Sequence, residues 1–209
     1  AVTAVLNHSQ SILLNARAVR LESGDIEESA RLYRVVVRRE AGNEMAALAR
    51  VELAGLLERD LDRPVQAARL LEVAHDENSS HADSASWLMK AAEIASTADR
   101  PKWAQTMWER VAETHPAEAN KALLALARYL NAQGDQAAAF AAYQRVALEE
   151  ATMEERSLAR IGMSICLERM GDRDAALVEL DELGQEDAMW RQRRERLQGR
   201  RERATGSIW

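Results

Sequence analysis

The sequence predicts an all-α solenoid made of antiparallel helix pairs, and three observations carry that reading. A small residue, a bulky one four positions on and an aliphatic three later recur five times, as Ser29/Tyr33/Val36, Ala67/Leu71/Ala74, Ala104/Trp108/Val111, Ala139/Tyr143/Val146 and Ala176/Leu180/Leu183. Successive copies begin 38, 37, 35 and 37 residues apart, a period that marks stacked repeats. The i, i+4, i+7 step puts the three residues of each copy on one helical face, where the small one lets two helices approach and the bulky one fills the neighbour's groove. With only three Pro and nine Gly in 209 residues, there are too few turn formers for an all-β chain.

Taken in order, the apolar periodicity places helices near 9–22, 26–40, 43–60, 63–75, 81–97, 100–113, 117–132, 135–149, 153–170 and 173–184. The second, eighth and tenth each follow a Gly-Asp pair, Gly24-Asp25, Gly134-Asp135 and Gly171-Asp172. Gly closes one helix in a left-handed conformation and Asp caps the next. The fourth and sixth instead follow Asp62-Arg63-Pro64 and Asp99-Arg100-Pro101, with Asp expected as the cap and Pro in the first turn. Ser80 to Asp83 and Thr152 to Glu155 have the spacing of capping boxes, and Pro116 marks the loop before the fourth repeat. The organisation expected is an N-terminal extension over 1–9, five repeats over 10–185 and an Arg-rich capping helix and tail over 186–209.

Composition narrows the function classes. Hydrophobic residues make up 47% and aromatics only 4%, so packing rests on Ala, Leu and Val. The formal charge is −6, from 28 basic and 34 acidic residues. From Ala188 onward seven Arg (191, 193, 194, 196, 200, 201, 203) face Glu195 and Glu202, so the tail carries +5 and the rest −11. An acidic body repels nucleic-acid phosphates. No stretch approaches the roughly 20 apolar residues of a membrane span. The lone Cys166 excludes an internal disulfide, but a protein without disulfides suits a cytoplasm or a periplasm alike. The chain opens at Ala1, which reads as a processed product or a fragment; Val2, Val5 and Leu6 give an apolar face that a longer upstream chain would cover, and membrane contact would come through such a segment.

The five units resemble tetratricopeptide repeats. The family's small residue falls on Ser29, Ala67, Ala104, Ala139 and Ala176, its aromatic or Leu on Tyr33, Leu71, Trp108, Tyr143 and Leu180, and its closing Pro on Pro116 alone. The resemblance covers about Asn7 to Leu183. The family's early aromatic is mostly replaced by Leu or Ala, and the spacing exceeds the family's period of about 34 residues. The resemblance implies a right-handed superhelix whose concave face, lined by the first helix of each pair, holds a peptide or partner helix. Carried over by position, that groove comprises Leu14, Ala18 and Leu21, then Glu52, Leu56 and Arg59, then Met89, Glu93 and Ser96, then Leu124, Arg128 and Asn131, and last Ile161, Ile165 and Glu168. One subclass grips a C-terminal carboxylate with Lys and Asn where this chain has Leu14 and Ala18, which argues against that ligand.

Other candidates yield to simpler readings. His75 to Asp83 gathers the chain's metal-capable side chains, but in a polar inter-repeat loop where Asn, Ser and Asp serve as turn and cap residues. Cys166 lies among Ile161, Ile165 and Leu167 and reads as a small apolar filler. No phosphate loop, nucleophile elbow or paired-His helix motif occurs, so no catalytic residue, metal or cofactor is expected. Trp190, Leu197 and Ala204 recur every seven residues under a coat of Arg, as a terminal cap would. The function expected is a non-enzymatic scaffold or adaptor for a protein or peptide partner. Its Ala- and Arg-rich, Lys-poor composition suggests a bacterial source, and the resemblance adds an envelope, polysaccharide-export or secretion assembly. Two alternatives stand beside it: self-assembly into a homo-oligomer through an end repeat, and anion or membrane-surface binding through the Arg tail.

Overall fold

A computed structural model describes residues 8–148, 150–181 and 192–199. Its described residues form helices α1 (His8–Glu22), α2 (Ile26–Arg39), α3 (Glu44–Arg59), α4 (Pro64–Glu77), α5 (Ser84–Thr97), α6 (Pro101–Thr114), α7 (Ala119–Gln133), α8 (Gln136–Leu148), α9 (Met153–Met170) and α10 (Arg173–Asp181), with a 3-10 turn at Pro116–Glu118. A further helix, α11, covers 192–199, and no strand occurs among the described residues. The fold is the all-α repeat that the periodicity predicts. The expectations for Val2, Val5, Leu6, Leu183, Trp190 and Ala204 lie outside the described residues.

The described members of the recurring triplets lie in the core. Their small members, Ser29, Ala67, Ala104, Ala139 and Ala176, are all fully buried, and their bulky members Tyr33, Leu71, Trp108, Tyr143 and Leu180 are at most 4% exposed. Where the first copy has Ser instead of Ala, the hydroxyl donates to the Ala16 carbonyl at 2.8 Å, so the buried oxygen is satisfied. Gly162, in the middle of α9, extends the same logic. A Cβ there would lie 2.4–2.5 Å from the ring of Tyr143, so only a glycine lets this aromatic of α8 rest directly on the α9 backbone.

The turns explain the boundaries, with two corrections. After Gly24, Gly134 and Gly171, all at positive φ, Asp25, Asp135 and Asp172 accept from the backbone N–H groups of Glu28, Ala138 and Ala175 at 3.0, 3.1 and 3.0 Å. These are the expected caps. Asp62 and Asp99 do not cap: they sit at φ 49° and 56°, the left-handed conformation that glycine takes in the other turns, and the residue before α4 is Arg63, with no side-chain cap bond. Asp is one of the few non-glycine residues that tolerates this region. The second correction concerns α5, which starts at Ser84 and not at 81, because the expected box at Ser80 does not form. Its N-cap is Asp83, again without a side-chain bond, while His81 stacks on Trp87 with ring centroids 4.7 Å apart and accepts the Asp83 N–H at 3.0 Å. The Thr152–Glu155 box before α9 does form in both directions.

The chain divides into two compact units, residues 1–111 and 112–209. In the first, α1 to α5 pack in chain order, each on the next, and α1 also reaches α3. The first-turn Trp103 of α6 donates to Glu72 of α4 at 3.1 Å, and Arg110 reaches the same carboxylate at 2.8 Å and also pairs with Asp76. In the second unit α7, α8, α9 and α10 follow the same order, with α7 also on α9. Leu197 of α11, 1% exposed, joins Ala176, Leu177 and Leu180, with Ile161 and Leu167 packed beside them.

Candidate functional site

The first helices of the pairs carry the surface that the resemblance designates. In the first unit Leu14 and Leu21 of α1 are exposed, at 47% and 84%. Glu52 of α3 accepts from Arg17 at 2.5 and 3.0 Å, and that hydrogen bond holds the Arg17 guanidinium above its ordinary pKa. Arg59 is exposed with its guanidinium folded toward Gly55. On α5 Met89 is half-buried and Glu93 exposed. Lys90 beside them bridges to Glu58 of α3 at 3.0 Å.

In the second unit the row is more occupied. Arg128 is exposed and Ile165 half-buried. Asn131 accepts from Arg169 at 2.6 Å. Ile161 packs against the cluster around Leu197, and Glu168 takes Arg193 of α11 at 2.9 Å, so these two belong to the packing of α11 on α9. Two further groove candidates leave the surface altogether: Leu56 is fully buried and Leu124 is 7% exposed. An i, i+4, i+7 row drifts around a helix with 3.6 residues per turn. The outward position beside each is taken by a small half-buried residue, Gly55 or Ala125.

His75 and Cys166 are taken up by packing. Among the described residues no group of three or more His, Cys, Asp or Glu is arranged to hold a metal, and no helix is long and apolar enough to cross a membrane. The buried His75 ring lies 3.2 Å from the Ser84 carbonyl. Cys166 is fully buried, and burial pushes its thiol pKa up despite Arg169 and Arg193 nearby.

Sequence reasoning missed two concavities on the side of the second helices in the first unit. One pocket of about 450 Å³ is walled by Arg34, Val37 and Arg38 of α2 and by Gln66, Arg69, Leu70 and Val73 of α4, with Leu53 and Leu57 of α3 as its floor. An adjoining pocket of about 440 Å³ shares Arg69 and Val73 and adds Val65, Glu72, Arg100 and Trp103. The signal available was the row beside the buried one, Arg34/Val37/Arg38 and Gln66/Arg69/Leu70/Val73, each at i, i+3, i+4 spacing.

Helix pairs of this length, joined by Gly-Asp or Asp-Arg-Pro turns and packed through a small residue in each second helix, define a helical-repeat protein with the tetratricopeptide fold. The chain superposes on a tetratricopeptide repeat protein from Parabacteroides merdae ATCC 43184 with a TM-score of 0.60 and 16% identity, over 96% of this chain and 77% of that one. MamA gives 0.59 and 16%, over 85% and 91%, and YrrB, a TPR protein with an unusual peptide-binding site, gives 0.56 and 14%, over 88% and 90%. No family model matches the sequence, and no curated protein does. At such identities the likeness is one of fold.

Proposed function

We propose that this protein is a non-enzymatic scaffold that binds a peptide or partner helix along the first-helix face of its repeats, in a bacterial envelope, polysaccharide-export or secretion assembly. One observation supports it above others: Glu52, Arg59, Met89 and Glu93 stand in a row on consecutive first helices of one unit, at the surface or half-buried, and none is spent on the core. A mixture of aliphatic and charged side chains at helical spacing suits an amphipathic or extended segment. The peptide-binding site of YrrB, on the same fold, is in keeping with it. The engagement of Arg193 and Arg194 with Glu168 and Asp181 at 2.9 and 2.8 Å favours a packing role for that part of the Arg-rich tail over anion binding.

The test is a peptide-display selection on the full 209-residue chain, with selected peptides titrated against variants of matched helicity. Glu93→Lys and Arg128→Glu should each weaken binding by disturbing charge complementarity, whereas changing Arg200, Arg201 and Arg203 to Gln should leave it intact. Peptides that ignore both groove variants and fail on the tail variant would refute the reading.

A further inference from the structure

The two adjoining pockets on the second-helix side hold a charge pattern opposite to that of the molecule as a whole. The chain carries −6, yet Arg34, Arg38, Arg69 and Arg100 all line this strip, and the only carboxylate in either lining is Glu72. That carboxylate is already held by Trp103 at 3.1 Å and Arg110 at 2.8 Å. None of the four arginines makes an ion pair or side-chain hydrogen bond with another described residue, whereas five others in the first unit do: Arg17 with Glu52, Arg20 with Asp60, Arg31 with Glu28, Arg50 with Glu77 and Arg110 with Glu72. A stretch of surface that keeps its cations unneutralised in an acidic protein is a surface prepared for an anion.

Between those cations the lining is apolar. Leu53 and Leu57 are 3% and 2% exposed and form a floor recessed below the two helices, while Val37, Leu70 and Val73 face it from the walls. The volume of about 450 Å³ falls in the range of clefts that bind ligands, roughly 300–1,000 Å³. A recess suits side chains that reach down between two helices, which the flat face of a bilayer or the stiff backbone of a duplex does not offer. Arginine beside a desolvated apolar pocket is also the composition of protein-interaction hot spots, and its guanidinium favours carboxylate partners.

We propose that the groove between α2 and α4, continued onto α6, docks an acidic peptide segment of a partner protein, with its aliphatic side chains over Leu53 and Leu57 and its carboxylates on Arg34, Arg38 and Arg69. This site is separate from the first-helix face and does not depend on it.

The test is fluorescence anisotropy on the full chain with a labelled amphipathic peptide that has Glu on one face and Leu on the other. Two controls have Lys in place of every Glu, or Ser in place of every Leu. The acidic peptide should bind at least tenfold more tightly than either control and weaken as salt screens the arginines. Arg34→Glu with Arg69→Glu should reduce its affinity at least tenfold, and the milder Arg38→Gln with Arg69→Gln should fall between. Arg145→Glu, on an exposed face of α8, should change it less than twofold. Circular dichroism confirms that each variant is folded. Equal binding of the Lys peptide, absence of acidic-peptide binding, or full retention of it by the Arg34/Arg69 double variant would overturn the proposal. So would vesicles of phosphatidylcholine and phosphatidylserine that bind where the peptide does not and lose binding in that variant, which would make the strip a lipid contact.

Discussion

Two glycine-to-alanine substitutions in mid-helix should move stability in opposite directions. In an exposed helix, alanine is favoured over glycine by about 1 kcal/mol, and that gain applies to both Gly55 in α3 and Gly162 in α9. What differs is the surroundings. A Cβ at Gly55 meets the Nη2 of Arg59 at 2.9 Å and its Cζ at 3.6 Å. These atoms are the far end of an exposed, flexible side chain, which swings away at little cost, so Gly55→Ala should stabilise by about 0.5–1 kcal/mol. At Gly162 the new carbon would lie 2.4–2.5 Å from three ring atoms of Tyr143, about 1 Å inside ordinary carbon contact. Tyr143 is only 4% exposed and has nowhere to turn. Overpacking of this kind costs about 1–3 kcal/mol, and a ring pinned against backbone belongs at the upper end. After subtracting the propensity gain, Gly162→Ala should destabilise by about 1–2 kcal/mol. Urea denaturation followed by circular dichroism gives both shifts. Hydrogen exchange of α8 and α9 amides shows whether the Gly162 effect is local to that pair. In a Tyr143→Leu background the penalty at Gly162 should largely vanish, as coupled neighbours require. A rise in midpoint for Gly162→Ala, or the same penalty with and without the Tyr143 ring, would refute the close-approach argument.

Three further outcomes are expected. Ala139→Leu, at a fully buried helix crossing, should lower stability by about 1–3 kcal/mol, measured by urea midpoint; an unchanged midpoint would remove Ala139 from the contact. The Glu155 carboxylate is held below its usual pKa, first by the backbone N–H of Thr152, so its contribution is present above the unfolded carboxylate's pKa and is lost as pH falls through the depressed folded value. Glu155→Ala should therefore destabilise by about 0.3–1 kcal/mol at neutral pH, with the gap from wild type closing in acid denaturation series; a gap that widens in acid would contradict the box. Cys166, fully buried with its thiol pKa pushed up, should react with a thiol reagent only at the rate of unfolding, whereas rapid modification of the native chain would make it a surface thiol.

The sequence by itself determined the repeat, because burial at a helix crossing depends on residue size at a fixed spacing, and both are written in the chain. All five small residues and all five bulky ones are buried where the period put them. Gly134-Asp135 and Gly171-Asp172 fixed their turns for a similarly local reason, since one residue supplies the left-handed conformation and the next supplies the cap. Local rules misread Asp62 and Asp99, as the same side chain serves in a cap or in a left-handed turn and only the path of the flanking helices chooses between them. Surfaces were less legible still. Leu56 and Glu52 share a helix face by spacing, but α3 rotates one into the core and presents the other to Arg17. Ile161 and Glu168 look outward until α11 is laid against them. The arginines of α2, α4 and α6 lie far apart in a chain whose net charge is acidic, so their common strip exists only once those helices stand side by side. Core positions follow from patterns within one helix, whereas a binding surface is assembled from several, and its charge depends on which carboxylates the packing has already consumed.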